Sequence, residues 1–139
     1  MQISSRFTIA VHILTCIEYF AEEYTITSEF LAGSVGVNPV IIRQVLLQLK
    51  AAGLVDVSRG KSGITLSRSL DKITLYDVYK AVNSVKGKLF RFHENPNPKC
   101  PVGRDIHAAL DGTLAEIQNT LETKMKSITL QKISQNIKS

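Results

Sequence analysis

Apolar residues recur at helical spacing along most of this chain. From residue 5 to residue 21 they occupy two faces at once: Phe7, Ala10, Leu14, Ile17 and Ala21 on one, Ile9, Ile13, Cys16 and Phe20 on the other. Thr8, His12, Thr15, Glu18 and Glu22 are left for solvent. So wide a stripe predicts a helix packed on both sides. Thr27 is placed to cap a short helix that ends at Gly36, with Glu29 in the first turn, where the helix dipole favours an acid. The next helix has signals at both ends. Asn38 can accept the first free N–H groups, Pro39 suits the first helical position, and Gly53 can take the left-handed conformation that stops a helix. Its residues Ile41, Val45, Leu46, Leu49 and Ala52 are predicted to face inward, and Asn38, Val40, Arg43, Gln44, Leu47 and Lys50 outward.

Two brief strands follow, Leu54 to Val57 and Ile64 to Leu66, joined by a turn containing Arg59, Gly60, Lys61, Ser62 and Gly63. Thr74 with Asp77 three residues later forms a capping-box pattern, opening a helix through about Asn83. Residues 84–99 are the least regular. Val85 to His93 can hold an extended piece, and Asn95-Pro96-Asn97-Pro98 forbids regular structure just before Cys100. A long helix is predicted from Pro101 to about Lys126, its stripe made of Val102, Ile106, Ala109, Leu110, Leu114, Ile117, Leu121 and Met125. A stripe of that length has few partners within so short a chain. The simplest partner is the same helix of a second copy, together with the spare face of the first helix. Thr129 then caps a short terminal helix carrying Leu130, Ile133 and Ile137.

The fold class these elements imply is mainly α: an α+β winged helix–turn–helix with a long C-terminal dimerisation helix. Residues 1–83 form the winged helix–turn–helix DNA-binding domain, 84–100 an irregular sensor loop, and 101–139 the dimerisation helix with its short terminal helix. A length of 139 residues fits one compact domain with a helical extension. Hydrophobic residues at 44% and charged residues at 21% place the chain among ordinary globular proteins, not disordered ones. The apolar stretches are too interrupted to span a bilayer, and MQISSRFT lacks a secretory pattern, so no membrane partner is expected. Two cysteines, Cys16 and Cys100, make no disulfide framework, which fits a reducing cytoplasm.

Charge sharpens the picture. The formal net charge is +5, but residues 1–40 carry one Arg against four Glu. Residues 41–68 carry Arg43, Lys50, Arg59, Lys61 and Arg68 against Asp56 alone. Residues 69–80 are neutral and residues 81–139 again basic. Positive charge thus gathers on the second helix of the pair and on the wing, the footprint expected for a phosphate backbone. Double-stranded DNA is the partner this implies. Asn38, Pro39, Val40, Arg43 and Gln44 lie on the first turns of the reading helix; Arg reads guanine at O6 and N7, and Gln reads adenine at N6 and N7. Arg59 and Lys61 reach phosphates or a narrow minor groove. Ser4, Ser5 and Arg6 sit where the first helix begins and can touch the backbone. The plainer reading is a winged-helix protein-interaction module whose basic face meets an acidic partner.

Cys100 is the one candidate for chemistry, because a helix N-terminus with Lys99 and Arg104 nearby favours thiolate and hence oxidation. The alternative is an ordinary thiol preceding Pro101. Cys16 lies in an apolar stripe and reads as packing. One cysteine with His93 and His107 is too few for a metal site, and these two read as surface histidines; His12 falls on the polar side of its helix. No glycine-rich phosphate loop, nucleophile elbow or carboxylate pair points to an enzyme. Gly60-Lys61-Ser62-Gly63 lacks both the upstream glycine and the following helix of a phosphate loop and is a wing turn.

The order of parts resembles the IscR/NsrR/CymR family of bacterial winged-helix regulators, the Rrf type. The matching pieces are Met1-Gln2-Ile3-Ser4-Ser5-Arg6, LAGSVGVNPVIIRQVLLQLKAAGLV, the wing RGKSGITLSR, ITLYDVYKAVN and the long C-terminal helix, so the resemblance spans nearly the whole chain. It implies a homodimeric regulator reading a two-fold symmetric operator, with Gln44, Arg59 and Lys61 as DNA contacts. Sensor members hold an iron–sulfur cluster on three cysteines in the loop before the long helix. Here 85–99 contains none and Cys100 stands alone, so no cofactor is expected. Many members also carry an acidic residue where this chain has Arg43, so an operator cannot be borrowed. The function expected is a homodimeric, cytoplasmic, sequence-specific repressor responding to a redox signal at Cys100. Alternatives are the protein-interaction module and a DNA-binding regulator that senses a small metabolite in a pocket between the first helix and the long one.

Overall fold

The computed structural model describes residues 3–58, 63–82 and 88–137. Helix α1 (Ser5–Phe20) is followed by α2 (Ser28–Val35) and α3 (Pro39–Ala51). The hairpin β1 (Val55–Val57) and β2 (Ile64–Leu66) comes next, then a single 3₁₀ turn, Leu70–Lys72. Helices α4 (Leu75–Val82), α5 (Pro101–Lys126) and α6 (Leu130–Gln135) complete the order.

Side-chain caps begin most of these helices. Ser4 Oγ accepts from the Arg6 amide, Thr27 Oγ1 from Phe30 and Asn38 Oδ1 from Val40, the last at 2.8 Å. Thr74 and Asp77 exchange both bonds of a capping box, at 2.9 and 3.1 Å. Each cap satisfies N–H groups that a helix leaves free at its start. Gly36, at φ 81°, ends α2 in the left-handed region.

The core lies around the middle of α1. Ala10, Ile13, Leu14 and Ile17 pack with Leu31 of α2, with Ile42, Val45 and Leu49 of α3, and with Leu54, Ile73, Val78 and Leu130. Burying an aliphatic side chain contributes about 1.5–3 kcal/mol, so this cluster anchors the helix–turn–helix. Three expectations need correction here. On α3 the inward residue is Ile42, fully buried, whereas Ile41 is 36% exposed. The burial centre is the 42–45–49 row, which belongs to one core cluster with residues of α1, α2, α4 and β1. Ala52 and Ala21 are exposed, as both lie at C-caps where the chain leaves the helix. Thr15, expected in solvent, is only 6% exposed; its hydroxyl donates to the Val11 carbonyl at 2.8 Å, which lets a threonine enter a core.

The hairpin pairs Val55 with Leu66, Asp56 with Thr65 and Val57 with Ile64. It is fastened to the segment before α2, where the Ile64 amide donates to the Ile26 carbonyl at 3.0 Å. Gly63 makes this approach possible. Its φ is +64°, and a Cβ there would stand 2.5 Å from the Ile26 oxygen.

Helix α5 is attached differently at its two ends. At the C-terminal end, the Leu75 amide donates to Ile128 O and the Leu130 amide to Ile73 O, at 2.9 and 2.8 Å. Lys126 Nζ lies 4.6 Å from the centre of the Tyr76 ring. Among the described residues, the loop before α5 packs along the rest of the helix. The Leu89 amide donates to Gln118 Oε1 at 2.9 Å, and Phe92 stacks on His107 with centroids 4.6 Å apart. Among residues 88–93 there is no strand; the rest of the extended piece expected from Val85 to His93 lies outside the described residues. His107 is half-buried, not a surface histidine, because Phe92 covers it and His93 meets it edge-on at 5.1 Å.

Candidate nucleic-acid interface

Helices α2 and α3 are bent 110° apart, within the range of a helix–turn–helix. With Ile42, Val45, Leu46 and Leu49 buried, the helical period turns Asn38, Val40, Arg43, Gln44, Leu47 and Lys50 outward, and all six are exposed. Leu47 is 68% exposed. Pro39 is half-buried and serves the turn. Asn38 uses its side-chain oxygen to cap α3, and its amide donors take no part in that bond.

The two arginines are held by neighbours that the linear pattern does not place beside them. Arg43 donates to Glu29 of α2 at 2.7 Å, an ion pair between two well-exposed side chains. Arg6, at the start of α1, donates from one end of its guanidinium to Gln44 Oε1 at 2.6 Å and from the other to Gln48 Oε1 at 3.3 Å. Ser5 is exposed beside it. The structure therefore brings Arg6 onto Gln44 and Gln48 and Arg43 onto Glu29, along the exposed face of α3 that begins at Asn38 and Val40. Glu29 and Gln48 were missed as participants. Gln48 had a visible signal, lying one turn after Gln44 on the same face; Glu29 had only its place in the first turn of α2. Arg59 and Lys61 lie outside the described residues; strands β1 and β2, which lead into and out of their turn, pair in register.

Cys100 is exposed and occupies the N-cap of α5 without a side-chain capping bond. The Arg104 guanidinium, one turn on, turns to Asp105, with bonds of 3.0 and 3.1 Å that raise its pKa above the ordinary arginine value. Its charge is thus engaged by a carboxylate. Cys16 is buried as packing, but its thiol touches Ser34 Oγ at 3.2 Å, and His12 Nε2 meets the same oxygen at 2.9 Å. These groups line one side of a cavity of about 460 Å³ on the outer face of α1, bounded by Tyr19, Phe20, Ile133 and Ile137. Its far wall is α6, not the long helix.

An iron–sulfur cluster does not fit the donors of this chain. Residues 84–99 hold no cysteine, Cys100 stands alone before α5, and His107 is stacked against Phe92. Among the described residues no three His, Cys, Asp or Glu side chains converge as a metal would need. Among the same residues no single helix is long and apolar enough to cross a membrane.

Comparison with known proteins places this geometry. The Rrf2 family model, for an iron-dependent transcriptional regulator, matches residues 3–136. The Bacillus subtilis protein YwnA, assigned as an HTH-type transcriptional regulator, is 39% identical over 135 residues, covering 97% of this chain and 98% of its own. A crystal structure of a protein assigned as DNA-binding aligns with TM-score 0.75 and 34% identity, over 93% of this chain and 98% of that one. CymR of B. subtilis, a global cysteine regulator, shares the fold at TM-score 0.73 and 19% identity, over 99% of both chains. These relatives are transcriptional regulators rather than enzymes. A reading helix exposed on a helix–turn–helix, a paired wing and a match over nearly every residue agree: this chain belongs to the Rrf2 family of transcriptional regulators.

Proposed function

We propose that the protein is a homodimeric, sequence-specific repressor that acts on double-stranded DNA in the cytoplasm. The observation that carries this is the division of α3, buried along one face and open along the other, with amide and guanidinium groups at its exposed N-terminal half. In the proposed complex that half enters the major groove, and Asn38, Val40, Arg43 and Gln44 meet base edges. Ser5, Arg6, Arg59 and Lys61 contact the backbone, adding a salt-dependent attraction common to all sequences. A second copy supplies the other half-site. Its dimer contact uses the apolar stripe of α5, where Val102 and Ile117 are 68% and 48% exposed, together with the spare face of α1. The domain limits that go with this are 1–83 for reading, 84–100 for sensing and 101–139 for pairing. Cys100, exposed at the start of the pairing helix, is the proposed redox input.

The direct test is binding of the purified protein to genomic duplexes, followed by competition between the retained duplex and random DNA at rising salt. Retention of one duplex against random competitor supports the reading. Indifference to every duplex at modest ionic strength overturns it in favour of a protein partner. Cys100→Ser should abolish release of the duplex by oxidant; unchanged release removes the redox input alone. The α1 cavity favours one second reading, a small-molecule effector. Thermal stabilisation by a metabolite, lost in His12→Phe, would establish it.

A further inference from the structure

The clamp between Arg6 and the reading helix has a consequence for which base is read, resting on the DNA-binding proposal above. A guanidinium has five N–H donors and no acceptor. The atoms of Gln44 and Gln48 that face Arg6 must therefore be their oxygens, so chemistry alone settles the orientation of both amides. Gln44 and Gln48 lie one turn apart on α3, and the rigid fork of one arginine reaches Oε1 of each, at 2.6 and 3.3 Å. Gln44 is exposed, whereas Arg6 and Gln48 are half-buried. Gln44 Oε1 is held by Arg6, and its Nε2, on an exposed side chain, is the end that does not face the guanidinium.

A free glutamine reads adenine with both ends: its oxygen accepts from N6 and its nitrogen donates to N7. Here the oxygen is engaged by a charged donor, a stronger bond than the neutral N6 amine can offer in exchange. One lone pair of that oxygen is left, but a second donor approaching it would crowd the N–H groups of the guanidinium. What Gln44 offers the groove most readily is therefore its pair of N–H donors. We infer that Arg6 is a positioning residue that sets base preference: it converts Gln44 from an adenine reader into a donor that prefers edges offering acceptors without a competing N–H, guanine N7 and O6 or thymine O4. Adenine is disfavoured, because its N6–H₂ would face that donor unpaired beside N7.

The test is selection of bound duplexes from a random library by the full-length protein and its variants. The position read by Gln44 is the one whose preference disappears in Gln44→Ala. The wild type is expected to enrich guanine or thymine there. Arg6→Met retains the apolar stem of the side chain, so α1 keeps its packing, but it removes all donors. This variant should shift that position toward adenine by about fivefold, and the shift should vanish in the Arg6→Met/Gln44→Ala double variant. A general loss of phosphate attraction would lower affinity for every sequence and leave the profile unchanged, so the profile separates the two roles. Adenine at that position in the wild type overturns the inference. So does an Arg6→Met profile matching the wild type, or an adenine shift that persists without Gln44. No enriched duplex at all for the wild type overturns the DNA-binding reading beneath it, a visibly different result.

Discussion

Helices α3 and α5 are both amphipathic, yet the protein treats their apolar sides in opposite ways. On α3, Ile42, Val45, Leu46 and Leu49 are buried within 13 residues, closed in by α1, α4 and β1. On α5, twice as long, Met125 is the one buried residue, near the end that joins α4 and α6. Ile106, Leu110, Leu114 and Leu121 are half-buried, and Val102 and Ile117 lie open. The difference teaches that periodicity reports an apolar face but not who covers it. The proposed roles use that difference. A helix that reads DNA needs its inner face satisfied within the chain so that its outer face is presented rigidly, and a helix proposed to pair keeps its face available for a partner.

That contrast can be broken from either side. The largest expected effect is Ile42→Ala, which removes a fully enclosed side chain and should destabilise folding by about 2–5 kcal/mol, seen as a lowered denaturation midpoint. Gly63→Ala comes next: a Cβ would meet the Ile26 oxygen at 2.5 Å with φ at +64°, and such strain typically costs about 1–3 kcal/mol. The wing should lose amide-exchange protection at Ile64, with α3 less affected. Ile117→Asp, by contrast, should leave the fold of each chain intact and weaken self-association tenfold or more, about 1.4 kcal/mol or above. Sedimentation over a concentration series reads it directly, and a dimer unchanged by this variant would show that α5 pairs by another face. The smallest expected effect is at Glu29. Glu29→Gln releases Arg43 from an exposed pair, which typically contributes about 0–1 kcal/mol, so stability should hardly move. DNA affinity should instead rise severalfold, as a freed guanidinium and a lost negative charge both favour the duplex, and titration at fixed salt measures it.

The helix starts were largely legible in the sequence because their signals are local. Asn38-Pro39 starts α3, Thr74 and Asp77 start α4, and Pro101 starts α5 where caps and φ restriction require. What escaped has a common cause: it depends on residues distant in sequence. Ile41 and Ile42 differ by 100° around the helix, and only the positions of α1 and α4 decide which one is enclosed. Thr15 enters the core through a bond to its own backbone, invisible in a count of polar residues. The link from Arg6 to Gln44 spans 38 positions, and that from Arg43 to Glu29 joins two helices. His107 looked exposed until Phe92 was found lying over it. Residue types at the interface could be proposed from the chain; which of their atoms remain free could not.

The two short main-chain links beside Ile73 and Leu75 make α5 a rod gripped at one end. Its 26 residues extend about 39 Å, so a tilt of about 5° at the grip carries the Cys100 tip through about 3 Å. Run backwards, the same leverage means that a modest displacement at the tip arrives beside α4, which packs on α3, as a small, forceful rotation.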